Sequence, residues 1–273
     1  MSDTDRYRAP ALDKGLDILE LLAGVEHGLT QAEIAKQLGR SPNEFYRMLD
    51  RLQRRGYVAR VDGERFALTL KLFGLAQLHA PIRRLVSFAT PLMRELAKKT
   101  EQANHMVVFD RGRAVVVAQQ EAPTYWGYSI RIGSQIGLFD TGSGHVMLAF
   151  ASPEQRASML DANRTAHEPD TIPPDLERRL HRIREQGYES MSSVQTAGVF
   201  NLSAPVLSTD GSALAALTIP FITHVNAPNA PDPSDATHFL TEIATRLSEG
   251  IGAQRAKPDA TPQDLSQTTR PRP

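Results

Sequence analysis

Asn43, Glu44 and Arg47 stand within one stretch, Ser41 to Leu52, that also carries apolar residues at helical spacing. Side chains of these types read base edges: Asn pairs bidentately with adenine, Arg with guanine, and a carboxylate accepts from the cytosine amino group. Ser41, Tyr46, Arg60 and Arg65 add groups suited to phosphate oxygens or a groove edge. Between Lys36 and Lys71 lie nine Lys or Arg against four Asp or Glu, although the whole chain balances at 31 and 31. A local excess of this kind is what a phosphate backbone attracts. The bland alternative is that Arg51, Arg54 and Arg55 only solvate a helix face.

The second chemically suggestive stretch is Asp140 to Gly144, Asp-Thr-Gly-Ser-Gly. A glycine-rich turn feeding a helix presents free N–H groups and the positive end of the helix dipole, an anion site in waiting. Gly142 and Ser143 would be the donors and a carboxylate a natural ligand, unless the glycines only shape a tight turn. The same residues match the aspartic-protease signature, in which two carboxylates share a proton. That signature belongs to an all-β fold, whereas here it runs straight into a helical pattern. A hydrolase using Asp140 is therefore a remote reading, and no catalytic residue is expected. Ser143 and His145 lack the glycine pattern of a nucleophile elbow. The eight histidines are scattered without paired spacing, so neither a metal nor a cofactor is expected. His105 and His145 read as ordinary core or surface groups. The absence of cysteine excludes a disulfide scaffold, a zinc ribbon and a thiol enzyme.

These residues need elements to hold them. Leu12, Leu16, Leu19 and Leu22 follow helical spacing. Thr30 with Glu33 forms a capping box for a second helix whose inner face carries Ile34 and Leu38. Ser41 caps a third, with Pro42 at its first position and Phe45, Met48, Leu49 and Leu52 as its buried stripe. A hairpin follows, Tyr57 to Val61 and Arg65 to Thr69, around Asp62-Gly63-Glu64. Helix, helix, turn, helix, hairpin is the order of a winged helix-turn-helix.

Leu70 to Ala80 reads as another helix, and Pro81 and Pro91 punctuate a linker. Beyond it the pattern predicts a helix over Pro91 to Lys99, strands over Asn104 to Asp110, Ala114 to Gln120 and Trp126 to Ile132, and a helix from Thr141 through Phe150. An amphipathic helix, Pro174 to Gln186, precedes strands Val199 to Leu207 and Ala213 to Pro220, then a helix from Ser234 to Gln254. This mixture, with hairpin turns, favours an α+β domain on an antiparallel sheet. A length of 273 residues suits two domains. The expected division is a DNA-binding domain over 10–70, a linker helix over 71–90, a second domain over 91–254 and a disordered tail over 255–273. Met1 to Pro10 has no apolar core for a signal peptide, and no run approaches the ~18 apolar residues of a membrane span. The expectation is a soluble, cytoplasmic protein with no membrane partner.

The stretches Ala11 to Leu22, Leu29 to Gly39, Ser41 to Leu49 and Phe66 to Thr69 resemble the IclR family of bacterial transcriptional regulators. The likeness covers about residues 10–250. It extends through Ile132-Gly133 and Thr141 to Ala149, then Gly187-Tyr188 with Gly198 to Val206, and Asp210-Gly211 with Ala215 to Pro220. It implies a winged helix-turn-helix joined by a linker helix to a C-terminal antiparallel-sheet, GAF-like effector-binding domain, acting on operator DNA as a homodimer or tetramer. The resemblance places polar effector contacts at Asn201 and Thr218 and an apolar wall at Tyr125, Tyr128, Ile136 and Val199. Strand alternation agrees, putting Asn201 with Ser203 and Thr218 with Ala216, although a satisfied core hydrogen bond explains such residues too. Two alternatives to a metabolite-controlled regulator remain, a C-terminal half that is only an oligomerisation scaffold and the remote hydrolase. The chain departs from the family at Met191, where acidic residues are common, and at His145, which replaces a usual lysine. With Trp126 and Tyr128 making an aromatic wall, the effector is expected to be larger than the smallest oxo-acids.

Overall fold

The computed structural model describes residues 9–78, 80–165, 171–223 and 230–253. The chain divides into two compact units, Met1–Arg83 and Arg84–Pro273. The disordered tail expected at 255–273 lies outside the described residues.

The first unit begins with helix α1 (Pro10–Ala23), α2 (Gln31–Gln37) and α3 (Pro42–Arg54). Ile18, Leu22, Ile34, Phe45 and Leu49 are buried together, the apolar positions that helical spacing predicts. Thr30 caps α2 through its Oγ1, which accepts from the Glu33 N–H, while the Glu33 carboxylate accepts from the Thr30 N–H. The hairpin is β1 (Val58–Val61) with β2 (Arg65–Leu68), turned by Asp62 and Gly63 at φ 45° and 85°. Leu29 adds a third short rung to Phe66 through reciprocal backbone bonds of 2.9 and 2.7 Å. Gly28 permits that approach, since a Cβ there would stand 2.6 Å from the Phe66 carbonyl oxygen. Helix α4 (Lys71–Gln77) closes the unit, with Lys71 bonded to the Arg55 carbonyl and lying over the Tyr57 ring.

The second unit is a six-stranded antiparallel sheet between two layers of helices. Helix α5 (Ala80–Thr100) leads into β3 (Asn104–Asp110), β4 (Arg113–Gln120), β5 (Gln135–Ile136), α6 (Gly142–Ala149), α7 (Pro153–Arg164), α8 (Leu176–Gln186), β6 (Glu189–Ser192), β7 (Val199–Leu207), β8 (Ala213–Ile222) and α9 (Pro233–Ile251). The strand order is β5-β4-β3-β8-β7-β6. One face packs on α5 and α9 through Met93, Leu96, Leu217, Leu240 and Ile243. The other packs on α6, α7 and α8 through Val107, Val116, Val146, Met159 and Leu180. The whole is α+β, as the pattern predicts.

Three sequence expectations need correction. Pro91 does not begin a helix but lies inside α5. It removes one rung from the ladder, but Leu85, Ala89, Met93 and Leu96 bury one continuous stripe across it, and the Thr90 hydroxyl donates to the Val86 carbonyl. Trp126 to Ile132 is not a strand; its place beside β4 is taken by the two-residue β5. Its ends are exposed, Trp126 at 76% and Ile132 at 63%, and only its middle, with Ile130, packs on the core. Helix α7 and strand β6 are additions, α7 opening on a capping box of Ser152 and Gln155.

Candidate nucleic-acid interface and ligand pocket

Helix α3 is fixed at its start by neighbours that leave its outer side bare. The Gln31 Nε2 donates to the Pro42 carbonyl at 2.8 Å. Asn43, Tyr46, Arg47 and Arg51 are exposed, and among the described residues no ion pair engages Arg47 or Arg51. Ser41 is exposed at the cap, its N–H and hydroxyl both donating to the Glu44 carboxylate. Arg60 is exposed on β1, its guanidinium 5.2 Å from the Phe66 ring centre.

Two of the expected contact residues are already engaged. The Glu44 carboxylate accepts from Lys14 Nζ at 2.8 Å, with Arg40 at 3.8 Å. Those bonds, Lys14 first, hold its carboxyl down at about 2. Glu44 therefore ties α1 to the start of α3 rather than presenting a bare acceptor to cytosine. The Arg65 guanidinium forks the two oxygens of Glu33 at 3.2 and 3.3 Å and donates to the Gly28 carbonyl at 3.0 Å. It braces the hairpin against α2. Arg54 is similarly occupied by Asp50 at 3.0 Å.

In the second unit a cavity of about 460 Å³ opens against the N-terminus of α6. Thr141 caps that helix, accepting from the Gly144 N–H at 3.0 Å and donating to the Gly137 carbonyl at 2.7 Å. Gly144 lets the first turn sit on the preceding chain, because a Cβ there would stand 2.4 Å from the Leu138 carbonyl oxygen. Below, His145 is sealed. Its Nε2 bonds the Phe139 carbonyl at 2.8 Å and its Nδ1 the Glu189 carboxylate at 3.3 Å. A carbonyl only accepts, so Nε2 is the donor to Phe139. The other Glu189 oxygen takes bonds from Arg182 at 2.8 Å and the Ser190 N–H at 2.9 Å.

The cavity brings together Tyr128, Ile136, Gly142, Ser143, Asn201 and Thr218. Ser143 Oγ lies 2.9 Å from Thr218 Oγ1, which donates to Ser203 Oγ at 2.8 Å. Two further bonds cross from the cavity wall to the 193–198 loop: Tyr128 Oη to Thr196 Oγ1 at 3.0 Å, and Gln195 Nε2 to the Asp140 carboxylate at 2.8 Å. Arg131 also lines the cavity.

Tyr125 and Val199 are not part of this wall: Tyr125 is fully exposed and Val199 is buried outside the cavity. Met191 lines a different hollow, beside Arg178, Arg179 and Arg182. With His145 sealed and Trp126 exposed, three of the four residues taken to set effector size do not touch the cavity; only Tyr128 does. Both ring nitrogens of His145 are committed, so it has no nitrogen to serve Ser143 as a base. Asp140 is bound by Gln195, and among the described residues no second carboxylate lines the cavity.

Sequence reasoning took His105 for an ordinary core or surface group, but it lines the cavity from β3 and is 1% exposed. Its signal was available, a polar residue at an inward strand position one step from Val107. Burial pushes its imidazole down to about 4.

Both units have relatives. Residues 11–62 match the IclR helix-turn-helix domain, and residues 80–248 match the bacterial transcriptional regulator IclR C-terminal domain. The HTH-type transcriptional regulator BhcR of Paracoccus denitrificans is 31% identical over 251 residues, covering 90% of this chain and 88% of its own. Among solved structures, the fold is shared with the Thermotoga maritima IclR (TM-score 0.69, 22% identity, 88% and 98% of the two chains). It is shared as well with an IclR homologue from Microbacterium hydrocarbonoxydans complexed with 4-hydroxybenzoate (TM-score 0.71, 19% identity, 88% and 98%). Among the described residues no helix is long and apolar enough to cross a membrane. The chain belongs to the IclR family of bacterial transcriptional regulators.

Proposed function

We propose that this regulator binds operator DNA through α3 and the hairpin, under control of a carboxylate metabolite held in the cavity of the second unit. The observation that carries this is a cavity seated on the N-terminus of a helix, in a chain whose α3 leaves Asn43 and Arg47 uncommitted. Asn43 and Arg47 read bases in the major groove. Ser41, Tyr46 and Arg60 hold phosphates or the groove edge, while Glu44 and Arg65 keep that surface in shape. The working division is 10–70 for DNA, 71–90 for the linker and 91–254 for the effector, in a cytoplasmic protein.

In the pocket the first two N–H groups of α6, from Gly142 and Ser143, lack intrahelical acceptors and favour an anion. Asn201 and Thr218 orient the rest of the ligand against Tyr128 and Ile136. The Microbacterium homologue's 4-hydroxybenzoate is a carboxylate, in keeping with this reading. A ligand acts on DNA binding only by favouring one arrangement of the protein over another. The protein works as a homo-oligomer, for which exposed Leu12, Leu16, Phe73 and Leu75 on α1 and α4 provide apolar surface.

Fluorescence anisotropy on the duplex upstream of its own gene, with a scrambled duplex and a salt series, tests the DNA half. A preference of ~10³ or more over scrambled DNA is expected. Equal binding to both, lost steeply with salt, would reduce α3 to a basic patch. Thermal shift with a panel of carboxylates tests the pocket, since ligand at a hundred times its Kd adds ~2.7 kcal/mol. No shift with any of them would favour a C-terminal scaffold.

A further inference from the structure

His105 sits in β3 opposite Thr218 of β8 and Gln119 of β4, with its side chain lining the cavity. Neither ring nitrogen has a hydrogen-bond partner among the described residues. Buried polar groups are almost always paired, and leaving both a donor and an acceptor unmatched is unfavourable. A leucine or phenylalanine would fill the same place without that cost. The partner missing from the protein is therefore a group that enters the cavity.

The chemistry of the floor defines that group. A neutral imidazole offers one N–H and, on the nitrogen pointing away from it, one lone pair, so a single ligand group engages one of the two. The neighbouring hydroxyls add a second demand. Thr218 gives its proton to Ser203, so the Ser143–Thr218 bond uses the proton of Ser143. Ser143 Oγ is then left with lone pairs only, and it too requires a donor. A hydroxyl meets both demands at once, accepting from the imidazole N–H and donating to Ser143; a ketone oxygen can only accept and leaves Ser143 unmet, and a bare C–H meets neither.

We propose that His105 is a specificity-determining residue of this pocket and that it selects carboxylates carrying a hydroxyl over their unsubstituted or oxo counterparts. This rests on the effector-pocket reading above and goes beyond it in naming the ligand class and the residue that discriminates.

The test is calorimetry on the full chain with matched probes. These are 2-, 3- and 4-hydroxybenzoate against benzoate, 3-hydroxybutyrate against butyrate, and lactate against propionate and pyruvate. At least one hydroxy acid is expected to bind about tenfold or more tighter than its counterpart, the discrimination of a site whose buried polar groups are otherwise left unpaired. His105→Phe and His105→Leu should bring that pair to within about twofold of each other. His105→Gln, which keeps a donor and an acceptor, should retain part of the preference. Without ligand, the Phe or Leu variant should melt higher than the native protein, because it removes an unpaired group. Counterparts that bind alike, or a preference that survives both apolar variants, would overturn the role of His105 and leave the pocket standing. Lower melting of both apolar variants would show that the imidazole has a partner within the protein and would also overturn it. Absence of binding by every probe would remove the effector-pocket reading and this proposal together.

Discussion

An exposed side chain with no fixed partner and a sealed one with none pose different tests. Arg47 is the first kind. If it reads a guanine, Arg47→Ala should cost about 1–3 kcal/mol on the operator and little on scrambled DNA; anisotropy on both duplexes separates this from a phosphate contact, which would weaken the two equally. His105 is the second kind. Its pKa is depressed by burial to about 4 from 6.5, so above pH 6.5 folded and unfolded chains are both neutral there. As pH falls below 6.5 the unfolded chain takes up a proton that the folded chain refuses, and stability declines until about pH 4. Urea unfolding at pH 7 and pH 4 should show the native protein losing about 3 kcal/mol more than His105→Leu. A ligand carboxylate in the same cavity would move that window, so the comparison is made without ligand. The types of these residues were legible in the sequence; their commitments were not. Glu44 and Arg65 had the right chemistry for DNA, but their partners Lys14 and Glu33 lie 30 and 32 residues away, and composition does not reveal such pairings.

Elements with strong local signals were legible, and those set by tertiary context were not. The capped helices α2 and α3 and the Asp62-Gly63 hairpin follow from chemistry within a few residues. Helix α5 passes through Pro91 because a buried stripe on both sides outweighs one lost rung. Strand β6 gave no alternating signal, since its inward residue is the fully buried Glu189. That carboxylate joins β6 to α6 through His145 and to α8 through Arg182. Removing the carboxylate leaves the sealed His145 Nδ1 without its partner, so Glu189→Ala should destabilise the protein by about 1–3 kcal/mol. Urea titration would report it as an earlier midpoint, and an unchanged midpoint would show that His145 does not depend on its carboxylate. Gly142 and Ser143 were legible through the glycine turn, whereas Tyr128, Ile136, Asn201 and Thr218 came from the family resemblance, with strand alternation agreeing for the last two. Tyr125 and Val199 were misplaced because a linear pattern does not say where an irregular loop or a strand end leaves the cavity.

For the molecule as a whole, the exposed apolar residues of α1 and α4 set the expectation for assembly. Phe73 is 63% exposed and Leu12 60%, an arrangement that a second copy would cover. Phe73→Glu should shift the protein towards monomer in analytical ultracentrifugation and weaken operator binding by the loss of paired contact. An unchanged sedimentation profile would place the interface elsewhere. The outer strands of the six-stranded sheet bear on the same question. β7 and β8 run for nine and ten residues, but the sheet ends in a two-residue β5 on one side and a four-residue β6 on the other. Such stubs offer an incoming chain few unpaired backbone groups. The sheet thus resists open-ended strand addition and amyloid-like stacking, and a second copy docking on it would have to be held by side chains.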